Sequence, residues 1–463
     1  MLLSFDPDKI SSEGRPQQLA KFEKALLRVG HLLVCEGKSA VVPYPYPWCQ
    51  VSSVLPVSTF YSFARLGKRS PRILFVTKRR DTLLALSNLS NETGDYFVDI
   101  VYTVILTKSG YRRARRIGRF GRGGPEFREG HANIMVVRPA SVQTRLSPDF
   151  VIIEDAQTLL TRRSATGLRA LRALSAPKLM ILTSPDSRAL RALCTEFNAL
   201  TWGWTRDLLA EDVAKFGDSA AVARPELTST QISQETIGPD SYYVKLLGLA
   251  WEWLKRSRRR AQQSGTLNDE LTAAFATLGV VLGRLTRATA PLDEVWKAEE
   301  RLGYVPTPRR LELLQGQLAG LKGVEELQLD GVASYCESIL TLDPPKYEAL
   351  RTTLHGQSEI CVTVADQANM AALKDCGFEA PIYLSTQAAT TAGTHLVPFM
   401  TSKMDVNYSM IRGISAPLTK AMLYPQEEPF LERLKASEAE VARFLLNRES
   451  VLQTLHAEKY GKR

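Results

Sequence analysis

The sequence lacks paired cysteines, a long apolar segment and a complete glycine-rich phosphate loop. Its six cysteines are scattered without a Cys-x-x-Cys pair, so we expect neither a zinc site nor a disulfide framework, and reduced thiols favour a cytoplasmic location. No apolar run reaches the roughly 18 residues that a membrane-spanning helix needs. The first residues lack the basic stretch and apolar core of a secretory signal. The sequence therefore predicts a cytoplasmic protein with no membrane partner.

Acidic residues are in deficit relative to basic ones. The chain has 59 lysines and arginines against 49 aspartates and glutamates, which gives a formal net charge of +10 at pH 7. This balance favours a polyanionic partner, most often nucleic acid, and a basic protein without such a partner is the alternative. With 44% hydrophobic and 23% charged residues, the composition is that of a globular protein. The length of 463 residues predicts two or three domains.

One apolar run is followed directly by two acids. Phe150–Ile153 are four apolar residues bounded by Pro148 on one side and by Glu154 and Asp155 on the other. A short continuous run of this kind predicts a strand buried on both faces of a parallel sheet. Carboxylates at the end of such a strand lie in the crevice where α/β proteins bind ligands. A purely structural role for the two acids is the alternative.

No segment supplies a complete phosphate-binding loop, which needs glycines for backbone N–H contacts together with a Lys and a Ser or Thr. Gly37-Lys38-Ser39 offers three of these residues, but it lies between the strand-like runs Leu32–Val34 and Ala40–Val42. The interval between Ala40–Val42 and the helix-compatible Ser52–Leu66 contains three prolines and no Gly or Lys. Because prolines delete backbone donors and the aromatic residues there fill the space of a triphosphate, we predict no nucleotide hydrolysis.

Two basic segments are candidates for contact with nucleic-acid phosphates. Lys78, Arg79 and Arg80 follow a strand-like run and precede a predicted helix, which is a position suited to phosphate contact. Residues 108–124 carry seven positive charges, no acid and two aromatic rings, so we expect a loop that neutralises phosphates and stacks on bases. The arginines of this loop are Arg112, Arg113, Arg115, Arg116, Arg119 and Arg122. A solvated basic turn and a solubilising loop are the respective alternatives.

The order of predicted elements divides the chain into three segments. Strand and helix signals alternate through residues 1–215 and again through residues 341–463, which indicates an α/β fold with two parallel-sheet lobes. Residues 216–340 show helical periodicity and few strand signals, so we expect a helical insertion between the lobes. Lys255–Arg260, at the end of one of its predicted helices, is either a capped solvated end or a further nucleic-acid patch.

The order of strand, acid pair, helix and a strand ending in Thr183-Ser184 resembles the superfamily 1 and 2 helicases. The resemblance implies two RecA-like lobes. In that family an Asp-Glu pair ends the strand, and its first acid helps to hold Mg²⁺ while its second orients the attacking water. Here the order is Glu154-Asp155, the reverse of the usual pair. The size and the basic loop are also similar to helicase-like accessory components of bacterial phage-defence systems, such as the DISARM island.

The resemblance also implies roles for three residues outside the acid pair. Gln18, in an Arg-Pro-x-Gln segment, would contact adenine, and Lys38 would contact phosphate. Arg412 would reach the γ-phosphate, as arginines before the last strand of the second lobe do in the family. The Gln-x-x-Gly-Arg-x-x-Arg motif that usually surrounds such arginines is missing around Arg412, and a surface arginine is the alternative.

Three functions are compatible with these patterns. The leading hypothesis is a nucleic-acid-binding pseudo-helicase, without a cofactor, that acts in a larger complex of antiviral defence, with DNA favoured over RNA. The second is an ATP-dependent DNA translocase with an unorthodox nucleotide site, in which Glu154 holds Mg²⁺ and Asp155 orients water. The third is a structural adaptor whose basic patches bind acidic protein partners.

Overall fold

The computed structural model describes residues 10–12, 15–16, 19, 21–44, 50–68, 70–91, 93–107, 110–113, 133–216, 230–321, 327–354, 359–385, 389–391 and 393–446. The chain divides into two compact units, which we call unit 1 (residues 1–227 and 435–463) and unit 2 (residues 228–434). Each unit contains a parallel sheet with helices between its strands. The predicted α/β fold with two parallel-sheet lobes is therefore confirmed, and the sheets are compatible with RecA-like lobes.

Unit 1 contains an eight-stranded sheet and a small three-stranded sheet. Its strands are β1 (Ser11–Ser12), β2 (Arg15–Pro16), β3 (Ala40–Pro43), β4 (Ile73–Val76), β5 (Leu89–Ser90), β6 (Thr103–Thr107), β7 (Gly110–Arg113), β8 (Ile134–Val137), β9 (Phe150–Ile153), β10 (Lys178–Leu182) and β11 (Leu200–Thr201). The larger sheet has the order β11-β3-β10-β9-β4-β8-β6-β7, and its strands are parallel except for β7, which is antiparallel to β6.

The helices of unit 1 connect successive parallel strands. They are α1 (Lys21–Glu36), α2 (Gln50–Arg65), α3 (Arg80–Asn88), α4 (Phe97–Ile100), α5 (Ala165–Ala173), α6 (Ser187–Phe197) and α7 (Arg206–Phe216). Short 3-10 helices occur at Pro139–Ser141, Ala156–Leu160 and Arg162–Ser164. Crossover connections of this kind place the ends of neighbouring strands together at the same edge of the sheet.

The central strands of unit 1 are apolar because both faces of the sheet are covered. Phe150 and Ile152 belong to one hydrophobic cluster, whereas Val151 and Ile153 belong to another. Alternate residues of a strand point to opposite faces, so each face of the sheet has its own core. This is why a continuous apolar run, and not an alternating one, marks β9 in the sequence.

Unit 2 contains a five-stranded parallel sheet of order β12-β18-β16-β13-β14. Its strands are β12 (Gln231–Thr236), β13 (Ile360–Val364), β14 (Ile382–Leu384), β15 (Ala389–Thr390), β16 (Thr394–Val397), β17 (Ile414–Ser415) and β18 (Leu418–Leu423), with β15 and β17 paired separately. Its helices are α8 (Tyr242–Gln263), α9 (Asp269–Arg287), α10 (Leu292–Arg301), α11 (Thr307–Leu318), α12 (Leu329–Leu340), α13 (Pro345–Leu354), α14 (Gln367–Asp375) and α15 (Met404–Arg412), and α16 (Glu428–Phe444) starts there.

This division differs from the predicted segments 1–215, 216–340 and 341–463. The helices α8 to α12 share one hydrophobic cluster with β13, so they form part of the second lobe. The segment expected to be helical also contains β12, which pairs with β18. The polar sequence Gln-Ile-Ser-Gln-Glu-Thr of β12 suits a half-exposed edge strand and gives no apolar strand signal. The chain also returns to unit 1 at Lys435 within α16, where the Ser437 hydroxyl donates to the carbonyl of Pro185 at 2.6 Å.

Two local predictions are wrong. Leu32–Val34, which is strand-like in the sequence, lies within α1, because a short apolar run suits a buried helix as well as a strand. Gly110–Arg113, expected in a loop, forms β7 at the edge of the unit 1 sheet. Among the described residues no single helix is both long and apolar enough to cross a membrane; only α9 and α10 joined meet that test, and they are bent by 119°.

Candidate functional site

The two acids predicted from the sequence lie at the carboxyl edge of the unit 1 sheet. Glu154 and Asp155 directly follow β9, whose neighbours in the sheet are β4 and β10. Because these strands are parallel, the residues that follow β4 and β10 lie at the same edge. Asp155 has a left-handed backbone conformation, with φ 52° and ψ 46°, which Asp tolerates better than most residues. We call the two acids and the side chains bonded to them the acid site.

Glu154 is held by two threonine hydroxyls. The hydroxyl of Thr77, the residue after β4, donates to Oε2, and the hydroxyl of Thr82 on α3 donates to Oε1 at 3.0 Å. The side chain of Glu154 is buried. Burial raises the pKa of Glu154, an effect that the bond from Thr77 and the charge of Arg79 only partly oppose. A carboxyl group in this setting gains a proton more readily than one in water.

Asp155 is bound by the guanidinium of Arg79. Arg79 Nε donates to Oδ2 at 2.8 Å and Nη2 donates to Oδ1 at 2.9 Å, which is the two-point geometry that makes Arg–carboxylate pairs strong. The hydroxyl of Thr183, which follows β10, also donates to Oδ1. Burial alone would raise the pKa of Asp155, but the hydrogen bonds and charge of Arg79, with the bond from Thr183, lower it below the ordinary value.

All four carboxylate oxygens of the acid site therefore accept hydrogen bonds from the protein. Magnesium needs near-octahedral oxygen coordination and usually one or two protein carboxylates with free lone pairs. A cation at Asp155 would have to displace Arg79, because the positively charged guanidinium of Arg79 already binds the same two oxygens. Among the described residues, no group of three or more His, Cys, Asp or Glu could hold a metal ion. Asp155 therefore does not fit the role in Mg·ATP chemistry that the helicase resemblance implies, whereas each oxygen of Glu154 accepts one threonine hydrogen bond.

The position where a phosphate loop would lie begins with a buried aromatic residue. Tyr44 follows β3 and is 1% exposed, and its ring lies edge-on to Trp204 with centroids 6.2 Å apart. The rings of Trp202 and Trp204 are in turn 4.5 Å apart. Gly203 has φ 149°, and a Cβ there would lie 2.3 Å from the carbonyl oxygen of Pro43, so only glycine permits this approach. The first residue after β3 is thus fixed in an aromatic cluster.

Two further residues predicted to bind nucleotide lie at the amino edges of their own sheets. Lys38 precedes β3, at the amino edge of the same parallel sheet, opposite the edge where Glu154 and Asp155 lie. Arg412 ends α15, just before β17 and β18 of unit 2, and its Nη1 is 3.5 Å from the carbonyl oxygen of Thr230, which precedes β12. Arg412 is therefore buried at the amino edge of its own sheet. Gln18 lies outside the described residues.

The predicted phosphate contacts separate into distinct environments. Lys78 is exposed beside the acid site, whereas Arg79 is engaged by Asp155. Arg80 is the first residue of α3, and Arg112 and Arg113 lie in the edge strand β7. Arg115, Arg116, Arg119 and Arg122 lie outside the described residues. Among the described side chains that follow β4, Lys78 is thus the exposed basic one.

Sequence reasoning singled out Thr183 but missed the two threonine hydroxyls that bind Glu154. Thr77 directly follows a buried strand, as Thr183 does, which is a signal that could have placed it at this edge. Thr82 carried no comparable signal, because its role depends on how α3 packs. Gln157 extends the network, since its Nε2 donates to the Thr183 hydroxyl at 2.8 Å.

Unit 2 also has a buried ion pair at the carboxyl edge of its sheet, which we call the buried pair. Lys346 Nζ pairs with Glu427 Oε2, and the two side chains are 0% and 1% exposed. Lys346 also donates to the carbonyl of Thr286 at 2.9 Å, and Glu427 accepts the backbone N–H groups of Met400 and Tyr424 at 3.0 Å each. Burial lowers the pKa of Lys346 and raises the pKa of Glu427, while each charge opposes the shift of the other.

Comparison with protein-family models and with curated proteins finds no match to this sequence.

Proposed function

We propose that this protein is a helicase-like nucleic-acid-binding protein that does not hydrolyse nucleotide and that acts as a subunit of a larger complex. The observation that carries the proposal is the two-point ion pair between Arg79 and Asp155. A cation that belongs to the chain already neutralises Asp155, the acid that by the resemblance would orient the attacking water. The fold of a motor would thus serve as a binding scaffold, as in a pseudoenzyme.

The phosphate-loop position supports the loss of nucleotide binding. Tyr44 is buried against Trp204 at the end of β3, and the sequence that follows has prolines where backbone donors would be needed. Lys38, the lysine nearest to this loop in the chain, lies at the opposite edge of the sheet. No described lysine or arginine therefore follows β3 in the place that a phosphate loop requires.

Charge supports nucleic acid as the partner. The net charge is +10, Lys78 is exposed at the ligand-binding edge of unit 1, and residues 108–124 carry seven positive charges without an acid. Five of the cysteines are free thiols, which suits the reducing cytoplasm that we propose as the location. Membership of an antiviral defence complex rests on the resemblance described above, and DNA is the partner that this resemblance favours.

The test is the salt dependence of DNA binding by the full chain. We expect the logarithm of the affinity to fall linearly with the logarithm of the salt concentration. Replacing Arg115, Arg116 and Arg119 by Gln should reduce that slope by about 2 to 3, because each lost phosphate contact removes about 0.9.

The matched control replaces three exposed arginines that are already paired with carboxylates. They are Arg301, Arg309 and Arg351, paired with Asp375, Glu312 and Glu348. The control removes the same charge and should leave the slope nearly unchanged. Equal slopes for the two variants would show that Arg115, Arg116 and Arg119 do not contact DNA. An absence of DNA binding by the unmodified chain would overturn the proposal.

The position of the acids favours one alternative, an ATP-dependent DNA translocase. Glu154 and Asp155 lie at the carboxyl edge of the sheet, as catalytic acids of that class do. Such an enzyme would have to release Asp155 from Arg79 before this acid could orient the attacking water. DNA-stimulated ATP hydrolysis that Glu154→Gln abolishes would establish this function in place of the proposed one.

A further inference from the structure

A cluster of cations lies on the exposed side of α8 in unit 2. Residues 255–260 contain five lysines and arginines, of which Arg256 forms an ion pair with Glu252. Three of the others, Lys255, Arg258 and Arg259, have the i, i+3 and i+4 spacing that places them on one side of the helix, and all are exposed. We call these three the basic face. Another side of the helix, with Leu254 and Ala261, is buried in the unit 2 core. The side chains of the basic face therefore do not belong to the hydrophobic core against which α8 packs.

The basic face is not neutralised by acids. Within the described part of the chain, none of its three side chains forms an ion pair with a carboxylate. Exposed arginines on other helices do so: Arg301 pairs with Asp375, Arg309 with Glu312 and Arg351 with Glu348. The cations of α8 are thus available to an external anion, whereas those arginines are already satisfied.

Helix stability does not explain the cluster. Cations near the C-terminus of a helix complement its dipole, but the effect is confined to the last turn, which in α8 starts at Arg260. Lys255 and Arg258 lie before that turn. Lys255 is three and four residues from Arg258 and Arg259, and like charges at these spacings destabilise a helix by about 0.2–0.5 kcal/mol per pair. The cluster therefore weakens the helix slightly, which points to a role outside the fold.

We propose that the basic face is a second phosphate-binding surface for nucleic acid, located in unit 2. Lys255 and Arg259 are separated by about 6 Å along the helix axis, which spans about two phosphates of one DNA strand. The planar guanidinium groups of the arginines suit phosphate, because each can donate two parallel hydrogen bonds to phosphate oxygens. With three cations and no aromatic residue among them, the surface fits the sugar–phosphate backbone without reading base sequence. This inference rests on the proposed function, since it assigns another contact to the same partner.

The experiment compares two variants of the full chain by fluorescence anisotropy with labelled duplex DNA over a range of salt concentrations. The first variant carries Lys255→Gln, Arg258→Gln and Arg259→Gln, because Gln keeps the helix propensity of Lys and Arg. The second is the control with Arg301, Arg309 and Arg351 replaced by Gln, which removes the same charge from other helices of unit 2. We expect the first variant to lose about 2 in the slope of log affinity against log salt, and at least about tenfold in affinity at low salt. We expect the DNA affinity of the control to stay within about twofold of that of the unmodified chain.

The outcomes separate this inference from the proposed function. If the unmodified chain binds DNA and the two variants behave alike, the basic face is not a contact surface, although the proposed function survives. If the unmodified chain does not bind DNA, the proposed function itself fails. A basic-face variant that keeps its DNA affinity but loses binding to vesicles of anionic lipid would also overturn the inference. Thermal unfolding should show no loss of stability in the basic-face variant, so weaker binding cannot be assigned to misfolding.

Discussion

The two sheets each hold a cation and a carboxylate together at their carboxyl edge, but the two pairs differ in exposure. In unit 2 both members of the buried pair are inaccessible, and the carboxylate of Glu427 also accepts two backbone N–H groups. In unit 1 the side chain of Arg79 is 25% exposed while that of Asp155 is 5% exposed. At the edge where α/β proteins bind ligands, the ion pair is thus inaccessible in unit 2 and partly accessible in unit 1. The comparison indicates that unit 1 keeps the more accessible edge, with Lys78 beside it.

The largest effect is expected from breaking the buried pair. Replacing Lys346 by Met leaves the Glu427 carboxylate without its counterion in the core, and uncompensated buried charges of this kind cost about 3–5 kcal/mol. Urea unfolding followed by circular dichroism measures the loss. The double variant Lys346→Met with Glu427→Gln removes both charges and should recover much of the stability. A loss below about 1 kcal/mol for the single variant would show that the buried pair is not a structural element.

A smaller effect is expected at the acid site. Arg79→Met should lower the free energy of unfolding by about 1–3 kcal/mol, less than for a fully buried pair, because water reaches part of the Arg79 side chain. Adding Asp155→Asn removes the carboxylate charge that Arg79→Met leaves unpaired, and Asn tolerates the left-handed conformation at this position. The double variant should therefore be closer to the original stability. If Arg79→Met lowers the free energy of unfolding as much as Lys346→Met does, the difference in exposure between the two ion pairs does not affect stability.

The cost of Arg79→Met should also depend on pH. The pKa of Asp155 is lowered in the folded protein, so its contribution to stability is complete above its unfolded pKa of about 3.9 and is lost as the pH falls through the lower folded value. The variant lacks most of this contribution. The difference in unfolding free energy between the two proteins should therefore be largest near neutral pH and shrink as the pH falls below about 4. A difference that stays constant down to pH 3 would contradict the assigned ion pair.

The smallest effect concerns the exposed lysine of unit 1. Lys78→Gln should reduce the salt slope of DNA binding by about 0.9, the value of one phosphate contact. Arg79→Gln should change the slope less, because Asp155 already neutralises that guanidinium. Anisotropy titrations of the two variants provide the measurement. A larger change for Arg79→Gln than for Lys78→Gln would mean that nucleic acid displaces Asp155 from Arg79.

The central strands could be predicted from the sequence, but the pairing at their ends could not. The run Phe150–Ile153 is β9 itself, because burial on both faces demands apolar residues at every position. β12 was missed, since an edge strand needs no apolar run. Arg79 and Asp155 are 76 residues apart in the sequence, and their contact follows from the adjacency of β4 and β9 in the sheet. Strand order depends on packing, so local patterns predicted the acids but not their partners.

The most direct measurement is a calorimetric titration of Mg·ATP into the full chain, alone and with saturating DNA. A scaffold whose acids are bound by Arg79 and threonines, and whose phosphate-loop position starts in an aromatic cluster, should give no saturable heat under either condition. Saturable binding of Mg·ATP that Glu154→Gln abolishes would contradict the proposal and identify the protein as a nucleotide-dependent motor.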